Sequence, residues 1–203
     1  MRWETGELRT EVERVLDQAG VLDGRAVLRP GARIDKKYEI EAGISSGGSS
    51  TIYRAFDWGA NRHVALKVLH RAPDDEGYGL RFQREVEVQG NLKHPNLMPI
   101  FDHGTWEGRP YYTMELLHKP MSLDAVVGLY RTNRLRYHPS LRHLAGLGSL
   151  LRSLVLPVGR AIAFANQNGV IHRDLKPGNI LLDAKTLHVY IIDFGICHLF
   201  KKT

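Results

Sequence analysis

The sequence predicts an α+β fold: a small lobe of five antiparallel strands around one helix, followed by a region of helical character. Three observations carry this expectation. From residue 38 onward, "YEIEAGI", "TIYRAF" and "HVALKVL" are short runs rich in β-branched and aromatic residues, separated by Gly, Ser or Asn-Arg turns. A helical pattern over about residues 78–90 then gives way to two further strand-like runs, "LMPIFDH" and "PYYTMELL". Finally, Leu150, Leu151, Leu154, Val158, Ala161, Ile162 and Ala165 fall on one helical stripe.

Taken in order, the chain divides into three parts. In residues 1–37, Leu8, Val12, Val15, Leu16 and Ala19 recur at helical spacing and Gly20 with Gly24 closes the segment, so one amphipathic helix is expected. The polar stretch "RPGARIDKK" reads as a linker into the folded region. Residues 38–117 hold the five strands and their helix, and residues 118–203 hold a connector, a long helix and two polar loops. Pro157 lies inside the apolar stripe and is expected to kink the helix, at a cost of up to ~3 kcal/mol if the site is interior. No internal repeat or low-complexity tract interrupts this plan.

Composition narrows the functional classes. At 203 residues, with 43% hydrophobic and 25% charged, the chain has the make-up of a globular protein with a core rather than a disordered one. No apolar stretch is read as approaching the ~20 residues that span a bilayer, and acids run through the N-terminus where a signal peptide needs an apolar core. A cytoplasmic location is therefore expected. Cys197 is the single cysteine, so neither an internal disulfide nor a cysteine metal cage is available, and it reads as a small core residue. The formal net charge of +6 raises the question of polyanion binding. The basic residues Arg131, Arg134, Arg136, Arg142, His138 and His143 cluster without stacking aromatics beyond Tyr130 and Tyr137. They read as a solvated connector, and no nucleic acid is expected.

Four stretches carry chemistry. "AGISSGGSSTIY" is a Gly/Ser hairpin whose backbone N–H groups and hydroxyls can approach phosphate oxygens, although a plain hairpin turn has the same composition. It is not a Walker loop, because Ser49 stands where that pattern needs lysine. In "VALKVL", Lys67 interrupts an apolar strand, and Glu85 lies on the inward stripe of the following helix with Phe82, Val86 and Gln89. An ion pair between Lys67 and Glu85 is expected, as structural salt bridge or functional pair. In "VIHRDLKPGNILLD", the residues His172, Arg173, Asp174, Lys176 and Asn179 crowd a loop between buried segments. Asp174 could accept a proton and Lys176 could neutralise a phosphate. The fourth is Asp193, delivered by the apolar run at residues 189–192 to a Phe-Gly pair. Its carboxylate, with the Asn179 amide, could supply oxygen ligands to a hard cation such as Mg²⁺.

In this order, a Gly-rich hairpin, "VALK", a glutamate on a helix, "HRDLKPGN" and "DFG" resemble the protein kinases, specifically the serine/threonine group and its bacterial members of eukaryotic type. The resemblance covers about residue 38 to the C-terminus, with "MEL" fitting the hinge after the fifth strand. It implies a protein-kinase-like two-lobe fold whose C-lobe is incomplete, the sequence ending soon after "DFG" and before the family's activation segment. It also implies that Asp174 orients a substrate hydroxyl and accepts its proton, that Lys176 marks a Ser/Thr rather than a tyrosine kinase, and that Asn179 and Asp193 hold Mg²⁺. Lys67 would bind the α/β-phosphates of ATP while pairing with Glu85. The backbone at Glu115 and Leu117 would meet adenine, with Met114 at the back of the pocket. Ala65 joins these residues in the nucleotide site, together with the loop residues Ser45, Gly47, Gly48 and Ser50. The family's first and third loop glycines read here as Ser45 and Ser50.

The implied activity is transfer of the γ-phosphate of Mg·ATP to protein Ser/Thr hydroxyls, with a partner or further segment completing the C-lobe. Two other readings follow from the same residues. One is a non-catalytic nucleotide-binding module acting through a partner; the other is a basic interaction protein using the N-terminal helix and the Arg-rich connector.

Overall fold

A computed structural model describes residues 28–48, 50–70, 86–87 and 89–193. The N-terminal part is one antiparallel sheet in the order β1-β2-β3-β4-β6-β5, formed by Arg33–Ile34 (β1), Tyr38–Ser46 (β2), Ser50–Asp57 (β3), Arg62–Leu69 (β4), Ile100–Trp106 (β5) and Arg109–Met114 (β6). Its central strand β4 is buried on both faces from Val64 to Leu69, which is why "HVALKVL" reads as an almost continuous apolar run. The pleat sends alternate residues to opposite sides. Val64, Leu66 and Val68 pack with Ile34, Tyr38, Ile40, Tyr53 and Tyr111, whereas Ala65 and Leu69 pack with Val86, Met98, Tyr112, Met114 and Ile192. Lys67 shares the second face.

The β3–β4 turn is closed by Asp57, whose Oδ1 accepts the N–H groups of Gly59 and Ala60 at 2.9 and 3.0 Å. The sheet has six strands rather than the five expected. The extra one, β1, lies within the stretch read as a linker. Arg33 and Ile34 pair with Glu39 and Tyr38, and Ile34 is fully buried in the core, as Leu28 nearly is. A two-residue strand has no periodicity of its own, so only its partner reveals it. The fourth expected run, "LMPIFDH", also begins later than read. Leu97 and Met98 precede β5 and instead dock on the strand at residues 189–191, with Met98 N–H donating to Ile191 O at 2.9 Å. Residues 86–87 and 89–91 are helical, matching the end of the expected helix. The rest of that helix, Glu85 included, lies outside the described residues, as do the expected N-terminal helix and Cys197.

The second part combines helices with a small antiparallel sheet, β7-β8-β9, built from Pro120–Ser122, Ile180–Asp183 and Val189–Ile191. Helix α1, Leu123–Arg131, starts where the Ser122 hydroxyl accepts the N–H of Ala125, carries Asp124 in its first turn and ends on Arg131. This charge order complements the helix dipole. The Arg-rich connector follows as two 3₁₀ turns. Its Leu135, Leu141 and Leu144 are buried while Arg131, Arg134, Arg136, Arg142 and His143 stay exposed, so apolar anchors pin a solvated basic strip.

Helix α2, Leu147–Gln167, buries Leu150, Leu154, Ala161 and Ala165 against β8, β9 and Leu97. Leu151, expected on the same stripe, is largely exposed. Pro157 is accommodated at the start of the second α-helical stretch, directly after a π-helical segment, Leu151–Val155. The widened turn precedes a residue that has no N–H to give, so the irregularity sits before the proline. One further expectation is corrected here: α2 spans 21 residues with a window of mean hydropathy 1.4, long and apolar enough by length and composition to cross a membrane. It carries Arg152, Pro157 and Arg160, and its buried stripe serves as the core of this lobe.

Candidate functional site

The site forms where the second face of β4 meets the polar loops before β8 and after β9. Strand register sets Lys67 directly opposite Tyr112 on β6. Lys67 is 3% exposed, so its ammonium needs an anion. Its Nζ lies 2.5 Å from Asp193 Oδ1, and the Tyr112 hydroxyl donates to the same oxygen at 2.8 Å. Nζ also sits 5.6 Å from the Tyr112 ring centroid. Burial pushes the Asp193 carboxyl up, but the Lys67 charge and the hydrogen bonds from Lys67 and Tyr112 outweigh it and hold the group below the usual carboxylate range. Among the described residues, Asp193 is the acid that Lys67 meets; Glu85, its expected partner, lies outside them.

Asp193 is placed by the backbone of its neighbour. The Ile192 N–H donates to Asn179 O at 2.9 Å, and Ile192 O accepts a 2.9 Å hydrogen bond from His172 Nε2. A carbonyl only accepts, so Nε2 carries the proton. Burial pulls the His172 pKa down, against the opposing effects of this hydrogen bond and of Asp193 and Asp174. Ile192 is thus held at both its N–H and its carbonyl by the loop before β8, and the next residue, Asp193, turns at φ 58° into the left-handed region that aspartate tolerates.

The loop before β8 brings its expected residues together. Lys176 Nζ lies 2.8 Å from Asp174 Oδ2. The Asn179 amide nitrogen donates to Asp174 O at 2.8 Å and to Asp174 Oδ2 at 3.1 Å. With its nitrogen committed to Asp174, the Asn179 side chain has Oδ1 to offer a cation. Mg²⁺ characteristically takes one or two protein oxygens and completes its shell with phosphate and water. Asn179 and Asp193, joined through Ile192, fit that requirement. Among the described residues no cluster of three His, Cys, Asp or Glu forms an alternative cage.

The Gly-rich hairpin has open space at its two glycines. Ser45 pairs with Ile52 and Ser50 with Leu69, and neither serine, nor Gly47 or Gly48, adopts a positive φ. A Cβ on Gly48 would meet nothing within 4 Å, and one on Gly47 only Ser50 O at 3.9 Å. The chain itself therefore does not require glycine there; close approach by something outside it would. His70, not anticipated from sequence, ties this turn down. Its Nδ1 donates to Gly48 O at 3.1 Å, and its Nε2 is 3.0 Å from Thr51 Oγ1.

At the other edge of the site, Met114 ends β6 opposite Ala65, and both are buried. Glu115 is exposed and Leu117 packs against the same cluster as Ala65. A second unanticipated residue, Asp183, fixes the segment that leaves this edge. Its carboxylate accepts the N–H groups of His118 at 2.9 Å and of Lys185 and Thr186 at 2.8 Å each. Burial pushes its pKa up, but these backbone donors prevail and hold it below the usual carboxylate range.

The protein kinase domain family matches residues 38–203. The chain is 36% identical over 181 residues to the DNA damage-responsive serine/threonine-protein kinase RqkA of Deinococcus radiodurans, an alignment covering 87% of this chain and 24% of that protein. It is 35% identical over 173 residues to the serine/threonine-protein kinase PknA of Mycobacterium tuberculosis, covering 83% of this chain and 37% of that one. The crystal structure of the Mycobacterium tuberculosis PknI kinase domain superposes with a TM-score of 0.65 at 26% identity, over 84% of this chain and 62% of that chain. The chain thus spans well under half the length of these curated relatives. With its strand lysine, its "HRDLKPGN" loop and its "DFG" aspartate gathered at one site, the chain belongs to the protein kinase family, in the bacterial serine/threonine group of eukaryotic type.

Proposed function

We propose that the chain is the ATP-dependent catalytic region of a serine/threonine protein kinase. The observation that carries this reading is the convergence of Lys67, Asp193, Asn179 and Asp174, drawn from strand β4 and two separate loops. Bound Mg·ATP supplies the activated phosphoryl group. The residues of this chain do the rest. Asn179 and Asp193 hold the metal, and the Lys67 ammonium neutralises phosphate charge. Ser45, Gly47, Gly48 and Ser50 let backbone approach the phosphates, and Ala65, Met114, Glu115 and Leu117 frame the adenine. Asp174 orients the substrate hydroxyl and takes its proton, and Lys176 beside it neutralises charge that develops on the transferred group. Phosphoryl transfer asks the protein mainly for alignment and charge compensation, and this set provides both. A cytoplasmic setting, where ATP is plentiful, suits a chain with one cysteine.

Transfer of labelled γ-phosphate to a generic basic protein tests the assignment. Asp174→Asn is expected to reduce the signal by about 10²–10⁴-fold. Equal transfer by wild type and variant rejects the role given to Asp174.

A second reading, a nucleotide-binding module that works with a partner or further segment, draws on a different observation. Leu147, Leu151, Val155 and Leu156 of α2 are all exposed. That reading predicts stabilisation by Mg·ATP, growing as RT ln(1 + [L]/Kd), without phosphate transfer.

A further inference from the structure

Strand β6 contributes a residue that the proposed chemistry does not use. Tyr112 is 1% exposed and sits among Ala65, Leu69, Val86, Met98, Met114 and Ile192, where an aliphatic side chain would serve packing equally well. A buried phenol needs a hydrogen-bond acceptor, and among the described residues it donates to the carboxylate of Asp193. Two donors converge on Asp193 Oδ1, the Lys67 ammonium and the Tyr112 hydroxyl, and among the described residues no hydrogen bond goes to Oδ2. The donors differ in one respect. Lys67 is a flexible chain with a second task at the phosphates, whereas Tyr112 is a ring fixed by its strand and by the core.

We propose that Tyr112 is a positioning residue for the metal-holding carboxylate: its hydroxyl fixes Oδ1 of Asp193 so that Oδ2 faces the cation even when Lys67 turns to the nucleotide. This rests on the kinase reading above. The hydroxyl acts on the cation through Asp193, to which it donates. Its contribution is conformational. Without it, the carboxylate of a residue in a left-handed turn must be ordered anew each time Mg²⁺ binds.

The test is calorimetric titration of the 203-residue chain with ADP across a series of Mg²⁺ concentrations, using wild type, Tyr112→Phe, Asp193→Asn and the double variant. Phenylalanine keeps the ring and deletes one oxygen. In Tyr112→Phe the Mg²⁺ concentration for half-maximal nucleotide binding is expected to rise about tenfold to a hundredfold, the range set by one hydrogen bond to a charged acceptor. The metal-free ADP affinity is expected to hold. In the Asp193→Asn background the same change is expected to add nothing, because the group through which Tyr112 acts is already gone. An unchanged or lowered Mg²⁺ requirement in Tyr112→Phe overturns the proposal, whether or not the melting midpoint falls, as does a further loss on top of Asp193→Asn. Absence of any Mg²⁺-dependent binding in the wild type instead rejects the kinase reading itself, so the two failures are distinguishable.

Discussion

Lys67 and Asp193, 126 residues apart in sequence, meet with Nζ 2.5 Å from Oδ1, and this pair ties the strand β4 face to the loop after β9. Both side chains are largely withdrawn from solvent, at 4% and 17% exposure, so removing one strands the other. Lys67→Met is expected to destabilise the fold by about 3 kcal/mol, the low end for a broken buried pair. Combining it with Asp193→Asn should recover part of that loss, since no unpaired carboxylate then remains. Urea unfolding of the two single variants and the double variant checks this; strict additivity would contradict it.

Gly48 separates folding from ligand approach. Its φ is not positive and a Cβ has open space, so Gly48→Ala is expected to change stability by less than about 1 kcal/mol. The same methyl enters the space where phosphate oxygens are proposed to lie, so affinity for Mg·ATP should fall while the melting midpoint of the free protein holds. Paired calorimetry and thermal melts read the two quantities separately.

Asp183 makes stability depend on pH. Its folded carboxyl is held below the ordinary range by backbone donors despite burial. A lowered folded pKa means that its contribution is fully present above the unfolded carboxyl's pKa and is lost as pH falls through the folded value. Asp183→Ala, which orphans the N–H groups of His118, Lys185 and Thr186, is expected to cost about 2–3 kcal/mol near neutral pH. The gap between variant and wild type should narrow in acid. Urea midpoints measured at neutral pH and in the acid range below the carboxylate pKa provide the check.

The fold was legible where a signal is local. The almost continuous apolar run in "HVALKVL" announces a strand, the spacing from Leu150 to Ala165 a core helix, and the polar crowd between Val170 and Ile180 a working loop. What escaped depends on partners remote in sequence. β1 exists only through its register with β2, and Asp183 reads as an ordinary strand-end acid until His118, 65 residues away, is seen to donate to it. His70 likewise acquires meaning only from Gly48 and Thr51. Tyr112 escaped for another reason: an aromatic in a strand is sufficiently explained by packing, and nothing local reports that its hydroxyl reaches a carboxylate. Lys67 was legible as a buried cation needing an acid, with Glu85, on the inward stripe of the following helix, as the candidate. Among the described residues Asp193 fills that place, brought there by the folding of the loop after β9.

The most direct test of the central claim, that Asn179 and Asp193 share one divalent ion, is an anomalous difference map from crystals grown with Mn²⁺ and a non-hydrolysable ATP analogue. A single manganese peak about 2.0–2.3 Å from both Asn179 Oδ1 and a carboxylate oxygen of Asp193 is the expected result, hard cations of this size binding oxygen at about that distance. A nucleotide bound with its manganese liganded by neither residue would contradict the account.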